Sequence, residues 1–180
     1  SYKQIEEYFH SPDLTKVRKD LLGGSATYAA IASSPFVKVN LVGIIGDDFP
    51  KVGEKILKES CNSTKDLVIE KGKTFRWGGE YHVNGDDRDT LFTNLGVFEN
   101  FSPKVSSANS TPDFIFLANI HPELQLSILK QCQKKAVVIT DSMNLWIDIA
   151  RESLFKVLKQ TDILLINQSE VYDLTNNKNM

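Results

Sequence analysis

The sequence predicts an α/β protein: a mostly parallel sheet with helices on both faces and a β-hairpin projecting from it. Three observations carry this. From Asp113 onward, short apolar runs at 114–118, 137–140 and 163–166 alternate with helix-like stretches at 122–134, 145–159 and 168–174. Near-continuous apolar strands between amphipathic helices indicate parallel strands covered on both sides. An earlier unit has the same form, with a β-branched strand over 37–45 followed by a helix up to Cys61. Between them lie aromatic and β-branched segments at 74–83 and 90–98, joined by the turn-rich Asn84-Gly85-Asp86-Asp87-Arg88-Asp89, the pattern of a hairpin.

Taken in order, the chain first presents the polar, helix-like Ser1-Tyr2-Lys3-Gln4-Ile5-Glu6-Glu7-Tyr8-Phe9. Gly23-Gly24-Ser25-Ala26-Thr27-Tyr28-Ala29-Ala30 then opens a small-residue helix. The glycines permit backbone paths closed to other residues and let a ligand approach the main chain. Ser25 is placed to cap the first turn, whose free amides and dipole favour hydroxyl or anionic oxygens. The strand over 37–45 is bounded by Pro35 and Gly46, and Pro50 suits the first turn of the next helix, where Val52, Ile56 and Leu57 recur at helical spacing. A short strand is expected over 67–70. Within the hairpin, Phe75 and Trp77 share one face and Thr74 and Arg76 the other, until Gly78-Gly79 permits a bulge.

At 180 residues with 41% hydrophobic and 24% charged residues, the chain can bury a core and reads as one domain over 1–180, with 72–98 as a β subregion. A formal net charge of −2 with scattered lysines gives no basis for a nucleic-acid partner. No run approaches the roughly 20 apolar residues of a membrane helix, and Ser1–His10 is too polar for a secretory signal. The expected location is therefore cytoplasmic. Cys61 and Cys132 lack metal or disulfide spacing, and His10, His82 and His121 form no ligand set. Four Asn-x-Ser/Thr sequons, at Asn62, Asn100, Asn109 and Asn167, read as chance in an Asn-rich chain.

In a parallel α/β sheet, ligands collect at the carboxyl ends of the strands. Asp47-Asp48, Asn119, Asp141 with Asn144, and Asn167 all fall there. Any one of them is equally well a loop residue or a cap; together they mark an edge. Asn167-Gln168-Ser169-Glu170 admits two readings: a pair of oxygens holding a hydrated magnesium, or a capping box. Arg76 is either a ligand contact or solvated, and Phe75 and Trp77 either cover a ligand or simply pack. Neither a dinucleotide fingerprint nor a Walker-type phosphate loop is present.

Three motifs together resemble the ribokinase-like (PfkB) carbohydrate kinases: Gly23-Gly24-Ser25-Ala26-Thr27-Tyr28-Ala29, Val42-Gly43-Ile44-Ile45-Gly46-Asp47-Asp48-Phe49, and Asn167-x-x-Glu170. Gly72-Lys73-Thr74-Phe75-Arg76-Trp77, Asp87-Arg88-Asp89-Thr90-Leu91 and Asp141-Ser142-Met143-Asn144-Leu145-Trp146 are similar to one sugar-kinase branch of that family. The resemblance runs from about Pro12 to the C-terminus. It implies a ribokinase-like, Rossmann-type three-layer sandwich, incomplete here, with the hairpin as a lid. It also implies phosphoryl transfer from ATP, with magnesium, to a sugar or nucleoside hydroxyl. Carried over residue by residue, Gly23, Gly24, Ser25, Asp48, Arg76 and Asn119 fall on the acceptor side, and Asn167 and Glu170 in the magnesium and phosphate region. A homodimer through the lid is a further expectation.

The departures are specific. Family members are longer and carry a late Gly-Ala-Gly-Asp, whose amides form an anion hole and whose aspartate is the catalytic base. Here the last glycine is Gly96, so no catalytic residue can be assigned. The family's opening apolar strand, with its sugar-binding aspartate, is replaced by the polar start, and Tyr28 stands where many members have asparagine. The expectation is a truncated sugar kinase, inactive alone because phosphoryl transfer depends on the missing charge stabilisation. The alternative is a non-catalytic module that binds a small polyol or pairs with another subunit.

Overall fold

Helix α1 (Ser25–Ser33) begins at Gly24, whose φ of 96° makes the turn that admits the chain into the helix. The computed structural model describes residues 19–81 and 88–177. The helix-like start at 1–9 and most of the hairpin turn lie outside the described residues. After α1 come β1 (Asn40–Gly46), α2 (Lys51–Ser60), β2 (Ser63–Glu70), β3 (Arg76–Tyr81) and β4 (Arg88–Asn94). Two 3₁₀ turns, Gly96–Phe98 and Ser107–Asn109, lead into β5 (Phe114–Leu117), α3 (Pro122–Gln131) and β6 (Val137–Asp141). The described chain finishes with α4 (Asn144–Ile149), α5 (Arg151–Leu158), β7 (Ile163–Leu165) and α6 (Gln168–Thr175).

The parallel strands form two ladders rather than one sheet. β1 pairs with β2, and β5, β6 and β7 stand in that order, parallel throughout. Among the described residues, the chain between the ladders holds the pair β3–β4 and the 3₁₀ turns, and hydrogen bonds to Asp66 tie it to β2. Ser106 N–H, Ser106 Oγ and Asn109 Nδ2 all donate to Asp66 Oδ2 on β2, at 3.0, 3.0 and 2.8 Å. The amide of the Asn109 sequon is thus engaged.

The core sits on one face of the three-stranded ladder. Ile115, Leu117 and Val138 pack with Leu126 of α3, Val157 of α5 and Ala136, backed by Ile128, Leu129 and Cys132. The expected burial on both faces is not met, since Phe114, Ile163 and Leu165, on the other phase of β5 and β7, are about half exposed or more. Ile44 and Ile45 of β1 and Leu57 of α2 are buried as well.

The antiparallel pair β3–β4 has its predicted irregularity between Gly78 and Gly79. The two glycines leave room for aromatic rings there: a Cβ at Gly79 would lie 2.2 Å from the Trp77 ring and one at Gly78 2.3 Å from the Phe92 ring. The second strand starts at Arg88 rather than at 90 and gives way to a 3₁₀ turn at Gly96. Phe75 precedes β3 and packs edge-on against Phe98 with ring centroids 5.9 Å apart, while Trp77 Nε1 donates to Thr90 Oγ1 across the pair. The helix expected over 145–159 is two helices, broken at Ala150 (φ −133°, ψ 29°).

Candidate functional site

Polar residues at the carboxyl ends of β5, β6 and β7 surround a cavity of about 450 Å³ lined by Asn119, Asp141, Ser142, Leu165, Ile166, Asn167 and Glu170. Parallel strands deliver their last residues to one edge, and the loops that follow keep side chains there. Gln125, 2% exposed, fixes the geometry of this edge: its Nε2 donates to the carbonyls of Leu117, Ala118 and Asp141 at 3.4, 3.0 and 3.1 Å. Its Oε1 is buried without a hydrogen-bond partner among the described residues, as is Ser142 Oγ on the cavity wall.

Ser25 ties α1 to this edge. Its hydroxyl does not cap the helix, which has Gly24 at that position and no side-chain cap. Instead Ser25 Oγ accepts from the Asn119 N–H at 2.8 Å and bonds the Asp141 carboxylate. The capping expectation fails because Ser25 is already inside the first turn, where its side chain points toward the strand ends. Gly23 and Gly24 precede it, both exposed, and a Cβ at Gly24 would meet nothing within 4 Å. It is the positive φ, not crowding, that calls for glycine at 24.

Burial pushes the Asp141 carboxyl above the ordinary range, against the lowering effect of bonds from Ser25, the Ser142 N–H and the Asn119 N–H. Opposite lies the start of α6, where Asn167 Oδ1 accepts from Glu170 N–H at 2.9 Å and Glu170 Oε2 accepts from Asn167 N–H at 3.1 Å. This is the capping box. Ser169 Oγ adds a second bond to Asn167 Oδ1 at 2.9 Å. No group of three or more His, Cys, Asp or Glu among the described residues is arranged for a metal ion. The lining nonetheless suits a hydrated hard cation: its charged groups are the two carboxylates Asp141 and Glu170.

Asp48 and Arg76 are brought together with each other rather than to the cavity lining. Asp48 Oδ1 accepts from Thr74 N–H at 2.7 Å and Thr74 Oγ1 at 2.8 Å. Its Oδ2 faces Arg76 at 3.5 Å and Lys73 at 3.6 Å, and Arg76 also pairs with Asp20. The Thr74 bonds, then the two cations, hold the Asp48 carboxyl below its usual range, over an opposing effect of burial. Thr74 Oγ1 accepts from Gly46 N–H at 3.0 Å, and Asp47 Oδ1 accepts from Gly72 N–H at 3.3 Å. The cluster fastens the root of β3 to the end of β1.

Sequence reasoning missed Gln125, Ser142 and Trp146 as parts of the site. Trp146 Nε1 donates to Asn119 Oδ1 at 2.8 Å. The motif running from Asp141 to Trp146 was the available signal; for Gln125, a polar residue in an otherwise apolar helix face, there was almost none.

The fold has a counterpart among solved structures. The chain superposes on a ribokinase from Cryptococcus neoformans var. grubii serotype A, solved in complex with ADP, with a TM-score of 0.61 and 18% sequence identity. The match covers 93% of this chain and 54% of the ribokinase, so the chain spans about half the length of that neighbour. At this identity the likeness establishes a ribokinase-like α/β fold. No protein-family model matches the sequence, and no curated protein matches it. No helix among the described residues is long and apolar enough to cross a membrane.

Proposed function

We propose that this chain forms the acceptor side of a sugar kinase, binding a sugar or nucleoside whose hydroxyl receives a phosphoryl group from ATP. The observation that carries the reading is the convergence of Asn119, Asp141, Asn167 and Glu170 on one strand-end cavity, with Ser25 of α1 bonded to the first two. Polar groups from distant parts of a chain gathered in a cleft are what small-molecule recognition requires.

In this reading the exposed main chain at Gly23-Gly24, with Ser25 and Asn119, binds acceptor hydroxyls. Asp141 joins them at the acceptor, Asn167 and Glu170 face the hydrated magnesium that would travel with ATP, and the capping box holds Glu170 in place. Magnesium, when bound, would neutralise charge on the phosphates. The pair β3–β4 acts as the lid, and Asp48 with Arg76 anchors its root, so that closure excludes water from the acceptor. A second subunit covers the outer face of the lid, and the protein works in the cytoplasm.

Transfer would form a bond from the acceptor oxygen to the γ-phosphorus, break the bond to the leaving ADP oxygen, and pass the hydroxyl proton to a base. These 180 residues have no glycine after Gly96, so they supply neither a Gly-Ala-Gly-Asp anion hole nor its base. The 180-residue chain alone is expected to bind the acceptor without turnover. The test is an assay of ATP with D-ribose, D-fructose and adenosine, with and without a fragment carrying the missing motif. Activity only with the fragment supports the reading, and robust turnover by the chain alone contradicts it. The same lack of a glycine loop favours a second reading, a non-catalytic polyol-binding or subunit-pairing module, which predicts acceptor binding and no activity in either mixture.

A further inference from the structure

Trp146 reaches Asn119 through a hydrogen bond whose chemistry permits one arrangement. The contact is 2.8 Å from the indole nitrogen to the Asn119 side chain. An indole N–H donates and cannot accept, so the amide atom facing it must be the oxygen. The Asn119 Nδ2 protons are thereby turned away from Trp146 at a residue that lines the cavity. The backbone of Asn119 is pinned as well, by Ser25 Oγ. The indole is braced in turn by His121, whose ring meets it edge-on at 5.2 Å. His121 is itself held at the start of α3, where its Nδ1 accepts from Glu123 N–H at 3.2 Å.

An unrestrained asparagine can present either its oxygen or its nitrogen to a ligand by rotating its amide. We propose that Trp146 is a positioning residue that removes this choice, so that Asn119 presents a hydrogen-bond donor to an oxygen of the sugar or nucleoside acceptor. The neighbouring charged groups in the cavity, Asp141 and Glu170, are carboxylates. The site therefore combines one fixed neutral donor with a carboxylate, Asp141, that accepts from hydroxyls, the polarity pattern that grips a polyol by its oxygens and protons together. The inference rests on the reading of the cavity as an acceptor site.

The experiment uses the 180-residue chain and has two arms. In the first, ¹⁵N-labelled protein gives indole N–H signals from its two tryptophans, Trp77 and Trp146, assigned with Trp146→Phe. Asn119→Ala should shift the Trp146 signal and speed its exchange with water on the order of tenfold, while Asn119→Asp, which keeps an acceptor, should preserve it. In the second arm, D-ribose, D-fructose and adenosine are titrated calorimetrically. Asn119→Asp should weaken binding as much as Asn119→Ala, on the order of tenfold, because it turns an acceptor toward the cavity. Trp146→Phe should weaken binding similarly in the wild-type background but less than about twofold in Asn119→Ala, since its effect runs through Asn119. An unmoved indole signal in Asn119→Ala, or an equal loss from Trp146→Phe in both backgrounds, overturns the proposal. Should none of the three compounds bind wild-type protein, the acceptor reading fails and with it the assigned ligand. The first arm then decides the Trp146–Asn119 lock separately.

Discussion

The cavity at the ends of β5, β6 and β7 and the cluster at the end of β1 are built from the same kinds of residue, yet they solve opposite problems. Around Asp48, each carboxylate oxygen faces a partner: Thr74 on one, Arg76 and Lys73 on the other. Around Asp141 burial outweighs the hydrogen bonds from Ser25, Ser142 and Asn119, and the carboxyl is pushed up rather than down. A self-neutralised cluster fastens two segments together. A desolvated carboxylate beside a cavity, whose hydrogen bonds do not outweigh its burial, is the kind of perturbed group that clusters at ligand sites.

The contrast can be broken by mutation, and the largest effect is expected at the fastened end. Gly46→Ala would put a Cβ 2.2 Å from the Gly72 carbonyl oxygen and 2.5 Å from Thr74 N. Both are backbone atoms with nowhere to go, so unfolding by urea should show a loss of about 3 kcal/mol. Asp48→Asn removes the charge that Arg76 and Lys73 face and weakens the Thr74 bonds, and should cost about 2 kcal/mol in the same measurement. A smaller loss, about 1 kcal/mol, is expected for Asn167→Ala, which opens the capping box at α6. Asp141→Asn should change stability by less than about 0.5 kcal/mol, because the substitution discards a charge whose burial is itself unfavourable.

A pH series sharpens the same comparison. The folded-state pKa of Asp48 is depressed, so its contribution to stability is present above the ordinary carboxylate value of about 3.9 and is lost as pH falls through the depressed one. Asp66, lowered by Ser106 and Asn109 against burial, adds to that loss. Asp141 has the opposite sign: its pKa is raised, so its protonation favours the folded state and the benefit fades as pH rises through the raised value. Urea midpoints measured from pH 7 to 3 should therefore fall less steeply below about pH 4 in Asp48→Asn than in wild type. Asp141→Asn should remove a small stabilisation that appears on acidification from neutral pH.

How much of this was legible in the sequence follows from how local each cause is. Strands β5 and β6 and the start of α6 were readable because apolar runs and the Asn167-x-x-Glu170 spacing act over a few residues. Strand alternation set Thr74 and Arg76 on one face, but their convergence on Asp48, more than twenty residues away, was not readable. The break at Ala150 was not readable. No glycine or proline marks it; instead the Arg151 guanidinium donates to the carbonyls of Asp173 and Leu174 at 3.2 and 2.5 Å, a contact made with chain more than twenty residues away. Ser25 was misplaced for the same reason, since its partners Asn119 and Asp141 are remote in sequence. The parallel strands were predicted correctly but not their division into two ladders, since which strands pair is decided by chain remote in sequence.

The central claim is that the cavity at Asp141, and not the Asp48 cluster, receives the acceptor. Calorimetric titration of D-ribose, D-fructose and adenosine into wild-type protein and Asp141→Asn tests it most directly. At least one compound is expected to bind, and Asp141→Asn to weaken it on the order of tenfold while leaving the urea midpoint nearly unchanged. Undiminished affinity in Asp141→Asn, or no binding by wild type, would contradict it.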